Sequence, residues 1–330
     1  MRKILPFIAI LSFFCLPVMA EEVEAAEAVE AVEAAPVKAF QNHLVPVLGF
    51  SLLQTAEKDF VLSPSVNLQY IRVKTPGVES HQPDAVVISG GYSQNYFTAG
   101  LGPDSVKRLH NISLMGNLSF GKNSFVGMLS SGGEVPFSSI NTVSGALMYM
   151  RQLVDNEHIA FSLGGGIMVG DFGIKIKDFN IYVLPLPVFN FSYTNDYFYG
   201  SIGMTGMPGI NITLFPKAMF RLNGMLSTAG FKSARDITFD CSLAYYPLLK
   251  TSAKDFLSFS AGVSNSVTSY KLKDKKSYGY QFYSVYGQIN ASLVNLKAGY
   301  NFDGKKLADG EAVGDMYKGL FASVQAMYMF

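Results

Sequence analysis

The sequence predicts an all-β protein, a transmembrane antiparallel β-barrel of about fourteen strands, with about twelve to sixteen allowed. Two observations of composition point to a membrane. Charged residues make up 15% of the chain, whereas about 25% is typical of soluble domains, and apolar residues make up 49%. A third observation selects strands, because apolar and polar residues alternate in many short segments. A bundle of membrane helices is not expected, since no run of about 20 apolar residues follows the leader.

Residues 1–20 have the organisation of a secretory signal peptide. Arg2 and Lys3 form a positive start, an apolar run of about ten residues follows, and residues 18–20 provide a cleavage site. Cys15 could suggest a lipid anchor, but bulky Phe14 stands where a small residue is expected. The sequence therefore predicts an exported protein.

Cleavage of this leader leaves Cys241 as the only cysteine of the mature chain. An intrachain disulfide is then excluded, so closure of the sheet must hold the fold together.

Residues 21–44 form a Glu/Ala-rich segment before the predicted barrel of residues 45–330. Its first part reads EEVEAAEAVEAVEAAP, with glutamate at every third position from Glu21 to Glu33. Such a composition cannot build a core. The segment is interpreted as a periplasmic linker, and the alternative is a short helix that plugs the barrel.

The alternation is clearest in the second half of the chain, in residues 237–245, 257–264, 283–293 and 294–302. One face of each segment is apolar, and the other carries Ser, Asn, Gln and Gly with few charges. A soluble β-sandwich would also alternate. The low charge and the need to pair every backbone group within a bilayer favour a closed barrel over the sandwich.

The connections also alternate in length. Short turns are predicted at 121–123, 155–157, 195–196 and 292–293, and longer ones at 99–109, 131–139, 228–234, 271–279 and 304–315. Outer-membrane barrels have short periplasmic turns and long external loops. Up to about sixteen segments can be counted, but the pairs 45–54 with 60–73 and 197–204 with 211–214 are doubtful strands, which gives the prediction of about fourteen.

The last ten residues, FASVQAMYMF, predict a final strand that pairs with the first. Tyr328 and Phe330 would face lipid on the same side as Leu320, Ala322, Val324 and Ala326. With the leader and the alternation, this end makes the chain resemble a Gram-negative-type outer-membrane β-barrel protein, over residues 45–330. The resemblance is to the class and to no characterised family. It implies that Tyr328 and Phe330 are an assembly signal for the barrel-insertion machinery.

The resemblance places the protein in the bacterial outer membrane, in contact with its lipid and with lipopolysaccharide. The function expected is a passive channel or uptake pore for small solutes. The alternatives are a structural or surface-interaction barrel with a closed lumen and, less favoured, an outer-membrane lipid-modifying enzyme. No cofactor, metal or nucleic acid is expected, because the sequence has no metal-ligand spacing and its basic runs are short.

Alternation alone selects five candidates for side chains that face the lumen. These are Asp240, Tyr286, Gln288, Asn290 and Lys297.

The sequence offers no catalytic arrangement, so no enzymatic activity is expected. The nearest is HNIS, but His110 and Ser113 are three residues apart in a strand and should point to opposite faces. His158 follows a tight turn. Asp171, Asp178 and Asp236 could lie near the outer rim, but no spacing links them to a histidine.

Residues 179–211 concentrate Pro185, Pro187 and Pro208 among aromatic residues. Proline removes a donor from the ladder, so bulges or an inward kink are expected there. Two hypotheses follow: a barrel that bends where its shear requires it, or a lateral opening or constriction for an apolar ligand. The glycines of GGG at 164–166 are expected at bends or close packing rather than in a phosphate loop.

Overall fold

The computed structural model shows an all-β antiparallel barrel and describes residues 40–75, 82–102, 105–170, 175–176, 179–205, 207–228, 237–249, 251, 256–272, 276–316 and 318–328. The predicted signal peptide and most of the predicted linker lie outside these residues. No helix among the described residues has the length and apolarity needed to cross a membrane.

The described residues form nineteen strands and one short 3₁₀ helix at Ile140–Thr142. The strands are β1 (Phe40–Gln54), β2 (Phe60–Lys74), β3 (Ala85–Leu101), β4 (Val106–Phe120), β5 (Asn123–Gly133), β6 (Val143–Asp155), β7 (Ile159–Gly170), β8 (Lys175–Ile176), β9 (Phe179–Asn180), β10 (Val183–Thr194), β11 (Phe198–Thr205), β12 (Met207–Leu214), β13 (Phe220–Thr228), β14 (Ile237–Tyr245), β15 (Leu257–Lys271), β16 (Ser277–Ala291), β17 (Val294–Ala308), β18 (Glu311–Asp315) and β19 (Gly319–Met327).

The sheet closes where β1 pairs with β19, in a register that runs from Val47↔Met327 to Leu53↔Phe321. The predicted pairing of the last strand with the first is therefore present. Around the closed circle each strand pairs with its neighbours in chain order. Two additions lie outside the circle: the β8–β9 hairpin is separate, and β18 pairs only with the end of β17.

Sixteen of the described strands make up the barrel, so the prediction of about fourteen is wrong. Both doubtful pairs are strands. β1 and β2 pair over their whole length, from Phe40↔Lys74 to Gln54↔Phe60, and β11 and β12 form a complete short hairpin. Pro46 and Pro64 lie within the first two of these segments and Pro208 lies just before the last, and proline weakens a strand pattern because it removes a ladder donor. Closure gives every strand two neighbours, and this outweighs a weak local preference.

The two ends of the barrel differ in their connections. The terminal rim contains residues 40 and 328 and all four predicted short turns, and the described parts of the five predicted longer segments lie at the loop rim. Two connections at the terminal rim, between β2 and β3 and between β14 and β15, are longer than the four predicted short turns. Part of the predicted segments 99–109, 271–279 and 304–315 is paired strand. The reason is that β3, β4, β15, β16 and β17 have 15 to 17 residues, whereas about 9–11 cross a bilayer.

The wall is lower on the opposite side, where β11 and β12 have 8 residues each. β10 therefore extends beyond β11, which pairs only with residues Phe189 to Thr194 of β10. Pro185 and Pro187 lie in this extension, which pairs with β7 but not with β11. Gly170 N donates to Tyr182 O, so the backbone groups of even-numbered residues in β10 bond to β7. The positions at which the two prolines lack a donor therefore face away from β7.

The β7–β10 register is continuous from Val183↔Val169 to Tyr193↔Ile159. Of the two expectations, bulges or an inward kink, the bulge at Pro185 and Pro187 is therefore wrong, and the kink stays a prediction. The prolines occupy edge positions, where the loss of a backbone donor costs little.

Candidate functional site: the interior of the barrel

The interior face of the sheet is identified by side chains that meet across strands that are not neighbours. The rings of Phe97 on β3 and Tyr270 on β15 are 5.2 Å apart, although these strands are six steps apart around the circle. The opposite face carries large exposed apolar side chains, such as Leu48, Leu147 and Leu320. Its exposed apolar surface matches lipid, as a membrane-spanning barrel requires.

Three of the five predicted lumen residues lie together on the interior face. The Tyr286 hydroxyl donates to Asp240 Oδ1 at 2.5 Å, and Lys297 Nζ is 3.6 Å from Asp240 Oδ2. Lys297 Nζ also lies 3.7 Å from the centroid of the Tyr286 ring. The acid, the phenol and the cation thus form one cluster across β14, β16 and β17.

Register explains why these three residues meet. Gly262 on β15 stands opposite Tyr286, and a Cβ at Gly262 would lie 2.8 Å from the Tyr286 hydroxyl. The phenol therefore crosses over β15 through the space that this glycine leaves and reaches Asp240 on the next strand. Lys297 and Asp240 are 26% and 25% exposed, so the pair borders interior space rather than a packed core.

The other two predicted residues, Gln288 and Asn290, belong to a second chain of hydrogen bonds nearer the terminal rim. Gln288 Nε2 donates to Asn290 Oδ1 at 3.0 Å, and Asn290 Nδ2 donates to Ser258 Oγ at 3.1 Å. Asn295 Nδ2 donates to the same Asn290 oxygen at 2.5 Å. Sequence reasoning did not select Ser258 or Asn295 as candidates, although both lie on the polar face of their alternating segments.

A third polar group lies nearer the loop rim. Ser264 and Ser284 are buried and hydrogen-bonded to each other at 2.9 Å. Asn301 stands opposite Ser284 and is 1% exposed. Both polar atoms of the Asn301 side chain have no hydrogen-bond partner. Buried amides are nearly always satisfied, so this position is suited to bind water within the barrel.

The wall formed by β4, β5 and β6 is apolar instead. Its interior face carries Met115, Met128, Met148 and Met150 beside a cavity of about 320 Å³. This apolar surface continues onto β10, where Leu186 and Val188 are buried. Sequence reasoning did not predict this wall, because which methionines of neighbouring strands meet depends on the register between those strands.

An aromatic constriction narrows the barrel at the loop rim. It is a cluster of buried side chains from strands on two sides of the barrel: Val61, Phe97, Leu101, Leu109, Leu272, Tyr280, Phe282 and Met316. Cα atoms of β5 and β15, which are diametrically opposite in the circle of sixteen, approach within 8 Å. Opposite sides of the wall therefore approach each other across the interior.

The described residues contain no group of three or more His, Cys, Asp or Glu side chains that could hold a metal. His110 lies on the outer face, where its Nδ1 is 2.8 Å from the Tyr92 hydroxyl, and Ser113 lies on the interior face. Nδ1 of His158 is 3.0 Å from the carbonyl oxygen of Thr194 at the terminal rim. Asp171, Asp178 and Asp236, together with Phe330 of the predicted assembly signal, lie outside the described residues. Tyr328 N donates to Pro46 O at the closing seam.

No protein-family model matches this chain, and no curated protein matches it. Three solved structures show some similarity. OccAB4 of Acinetobacter baumannii is 9% identical with a TM-score of 0.37, and the match covers 88% of this chain and 98% of that chain. OprB of Pseudomonas putida is 11% identical with a TM-score of 0.38, and the match covers 88% of this chain and 93% of that chain. A BenF-like porin of Pseudomonas fluorescens is 8% identical with a TM-score of 0.37, and the match covers 89% of this chain and 99% of that chain. Sequence identities and TM-scores as low as these do not support a fold assignment, so the fold is assigned from the strand pairing of this chain.

Proposed function

We propose that this protein is a bacterial outer-membrane channel for the passive uptake of small solutes. An even number of strands brings both ends of the described chain to one rim, as in outer-membrane barrels whose termini are periplasmic. The loop rim is then external. Lys271 and Lys276 lie at this rim, and their charge suits contact with anionic lipopolysaccharide.

One observation carries the proposal: a charged pair borders space inside a barrel whose outer surface is apolar. Asp240 and Lys297 are each about a quarter exposed on the interior face. Charges are costly to hold away from water, so the interior is hydrated at their level. A hydrated interior within a closed, lipid-facing sheet is what a channel requires.

The aromatic constriction favours the second candidate function, a structural or surface-interaction barrel with a closed lumen. The buried cluster around Phe97 fills much of the loop rim. In the channel hypothesis the same cluster limits passage to small solutes.

Single-channel conductance in a planar bilayer distinguishes the two functions. The experiment uses refolded residues 21–330 and the same chain without residues 21–36. Stable conductance in both forms is expected, with the acidic segment acting as a linker. Conductance that increases on truncation would make that segment a plug. The absence of conductance in both forms would establish the closed barrel.

A further inference from the structure

The methionine-lined cavity on β4, β5 and β6 has the composition of a ligand pocket. It is lined by Met115, Asn117, Ser124, Val126, Met128, Met148 and Met150, and none of these lining side chains is charged. Its volume of about 320 Å³ lies at the small end of the range for ligand pockets.

Register brings the four methionines of this pocket together. Met115 and Met128 are directly opposite each other on β4 and β5. Met148 stands on β6, diagonal to Met128 and opposite Val126, and Met150 follows on the same face. Directly opposite side chains are about 5 Å apart at Cβ and diagonal ones about 7–8 Å, so all four thioethers surround one space.

Gly166 on β7 makes room for one of these methionines. A Cβ at Gly166 would lie 2.8 Å from Met148 Cγ. Met148 is buried in a cluster with Val188 of β10. The pocket therefore remains open beside a packed apolar wall.

The polar atoms of the pocket are at one end. Ser124 Oγ donates to Asn117 Oδ1 at 3.1 Å, near the terminal rim. The Asn117 amide can still donate, and the Ser124 oxygen can still accept. A ligand bound here would meet thioethers along most of its surface and hydrogen-bonding groups at one edge.

We propose that this pocket binds a small, uncharged, ring-sized solute that is mostly apolar and has one hydrogen-bonding group. Thioethers are polarisable and make favourable contacts with aromatic rings. The volume exceeds what a coordinated cation needs, which favours an organic ligand over the soft monovalent metals that thioethers also bind. The proposal refines the channel function above, and rests on it only in requiring that solutes reach the interior.

Methyl NMR of the refolded chain, residues 21–330, tests this pocket directly. The chain is labelled with [methyl-¹³C]methionine, and signals are assigned by single Met→Leu variants, which conserve volume. Indole, an aromatic ring with one N–H, is the probe. The methyl signals of Met115, Met128, Met148 and Met150 are expected to shift and saturate together, while that of Met225 on β13 stays in place.

Val126→Phe provides the blocking variant, because the new ring would occupy the cavity. Overpacking of this size is expected to weaken indole binding about tenfold or more. Met225→Phe, also on the interior face but outside the pocket, should leave binding unchanged. Arabinose, a polar solute of similar size, should shift none of the four signals.

If indole shifts the methyl signals of all methionines equally and without saturation, it only partitions into detergent, and the proposal is overturned. Saturable shifts with Ag⁺ but not with indole would also overturn it and make the pocket a metal site. A chain that conducts without saturable indole binding would refute the pocket but keep the channel. Saturable binding without conductance would support the pocket and refute the channel.

Discussion

The rings of Phe97 and Tyr270 meet edge to face, 5.2 Å apart at 88°, although six strand steps separate β3 from β15 around the barrel. Sequence neighbours and paired strands cannot produce this contact. It exists because two long strands extend beyond the shorter side of the wall and lean across the interior. The width of the barrel at the loop rim is therefore set by aromatic packing.

Removal of this contact should widen the barrel. The double variant Phe97→Ala/Tyr270→Ala is expected to conduct more in planar bilayers than the unaltered chain. Phe97 is 2% exposed, so its truncation should also lower the free energy of unfolding by about 3 kcal/mol. Phe259→Ala, on the outer face of β15, is the matched control and should leave conductance unchanged. Equal conductance of the double variant and the unaltered chain would show that the narrowest point lies elsewhere.

The charged pair on the interior should set ion preference. Asp240→Asn leaves Lys297 without its carboxylate partner, so anions should be favoured, and Lys297→Met should favour cations. An unpaired charge in a hydrated interior changes the energy of a passing ion by about 1 kcal/mol, or about fivefold in permeability ratio. Reversal potentials in a KCl gradient measure this ratio. Asp315→Asn, which removes an exposed carboxylate bonded to Lys305 at the loop rim, should change it much less.

Asn265 should be essential for joining β14 to β15. Backbone pairing of these strands runs only from Asp240↔Ser264 to Tyr245↔Phe259. Beyond it, the Asn265 side chain accepts from Phe239 N at 2.5 Å and donates to Ile237 O at 2.8 Å.

Asn265→Ala leaves both backbone groups without partners, and should lower the free energy of unfolding by about 2–4 kcal/mol. Urea unfolding of the refolded barrel in vesicles is the measurement. Ser266→Ala, at the next position and on the other face, serves as the control. A loss no larger than that of this control would mean that water satisfies the two groups.

Asp84 should make the terminal rim sensitive to acid. Its carboxylate accepts from Gly121 N at 2.5 Å and lies 3.5 Å from Lys74 Nζ. The Gly121 hydrogen bond, followed by the Lys74 charge, lowers the pKa of Asp84 below its ordinary value. A lowered pKa in the folded state contributes stability above the unfolded pKa of about 3.9, which is lost as pH falls through the folded pKa.

The melting temperature should therefore be steady from about pH 7 to 5 and fall below about pH 4. Asp84→Asn should reduce the decrease of the melting temperature at low pH, which thermal melts followed by circular dichroism would show. Asp155→Asn, at the same rim, tests whether loss of any carboxylate has the same effect. If the melting temperature depends on pH in the same way in Asp84→Asn and in the unaltered chain, Asp84 does not contribute to the acid sensitivity.

The sequence by itself determined which face of each strand a residue occupies. Alternation is a local property of extended backbone, so Asp240, Tyr286 and Lys297 could be assigned to one face without a structure. The same pattern, with the low charge, predicted a closed antiparallel barrel whose last strand pairs with the first. The observed number of sixteen strands is within the range that the sequence allowed. Two strand pairs were nevertheless doubtful from the sequence, and prolines in β1, β2 and β12 weaken the strand pattern there.

Which side chains contact one another inside the barrel was decided only by the tertiary structure. The methionine pocket depends on the register between β4, β5 and β6, and the Asp240–Tyr286–Lys297 cluster depends on a glycine on the strand between them. The constriction depends on the unequal heights of the wall. Strand number, register and cross-section are linked by closure of the whole sheet, so no single segment of sequence contains them.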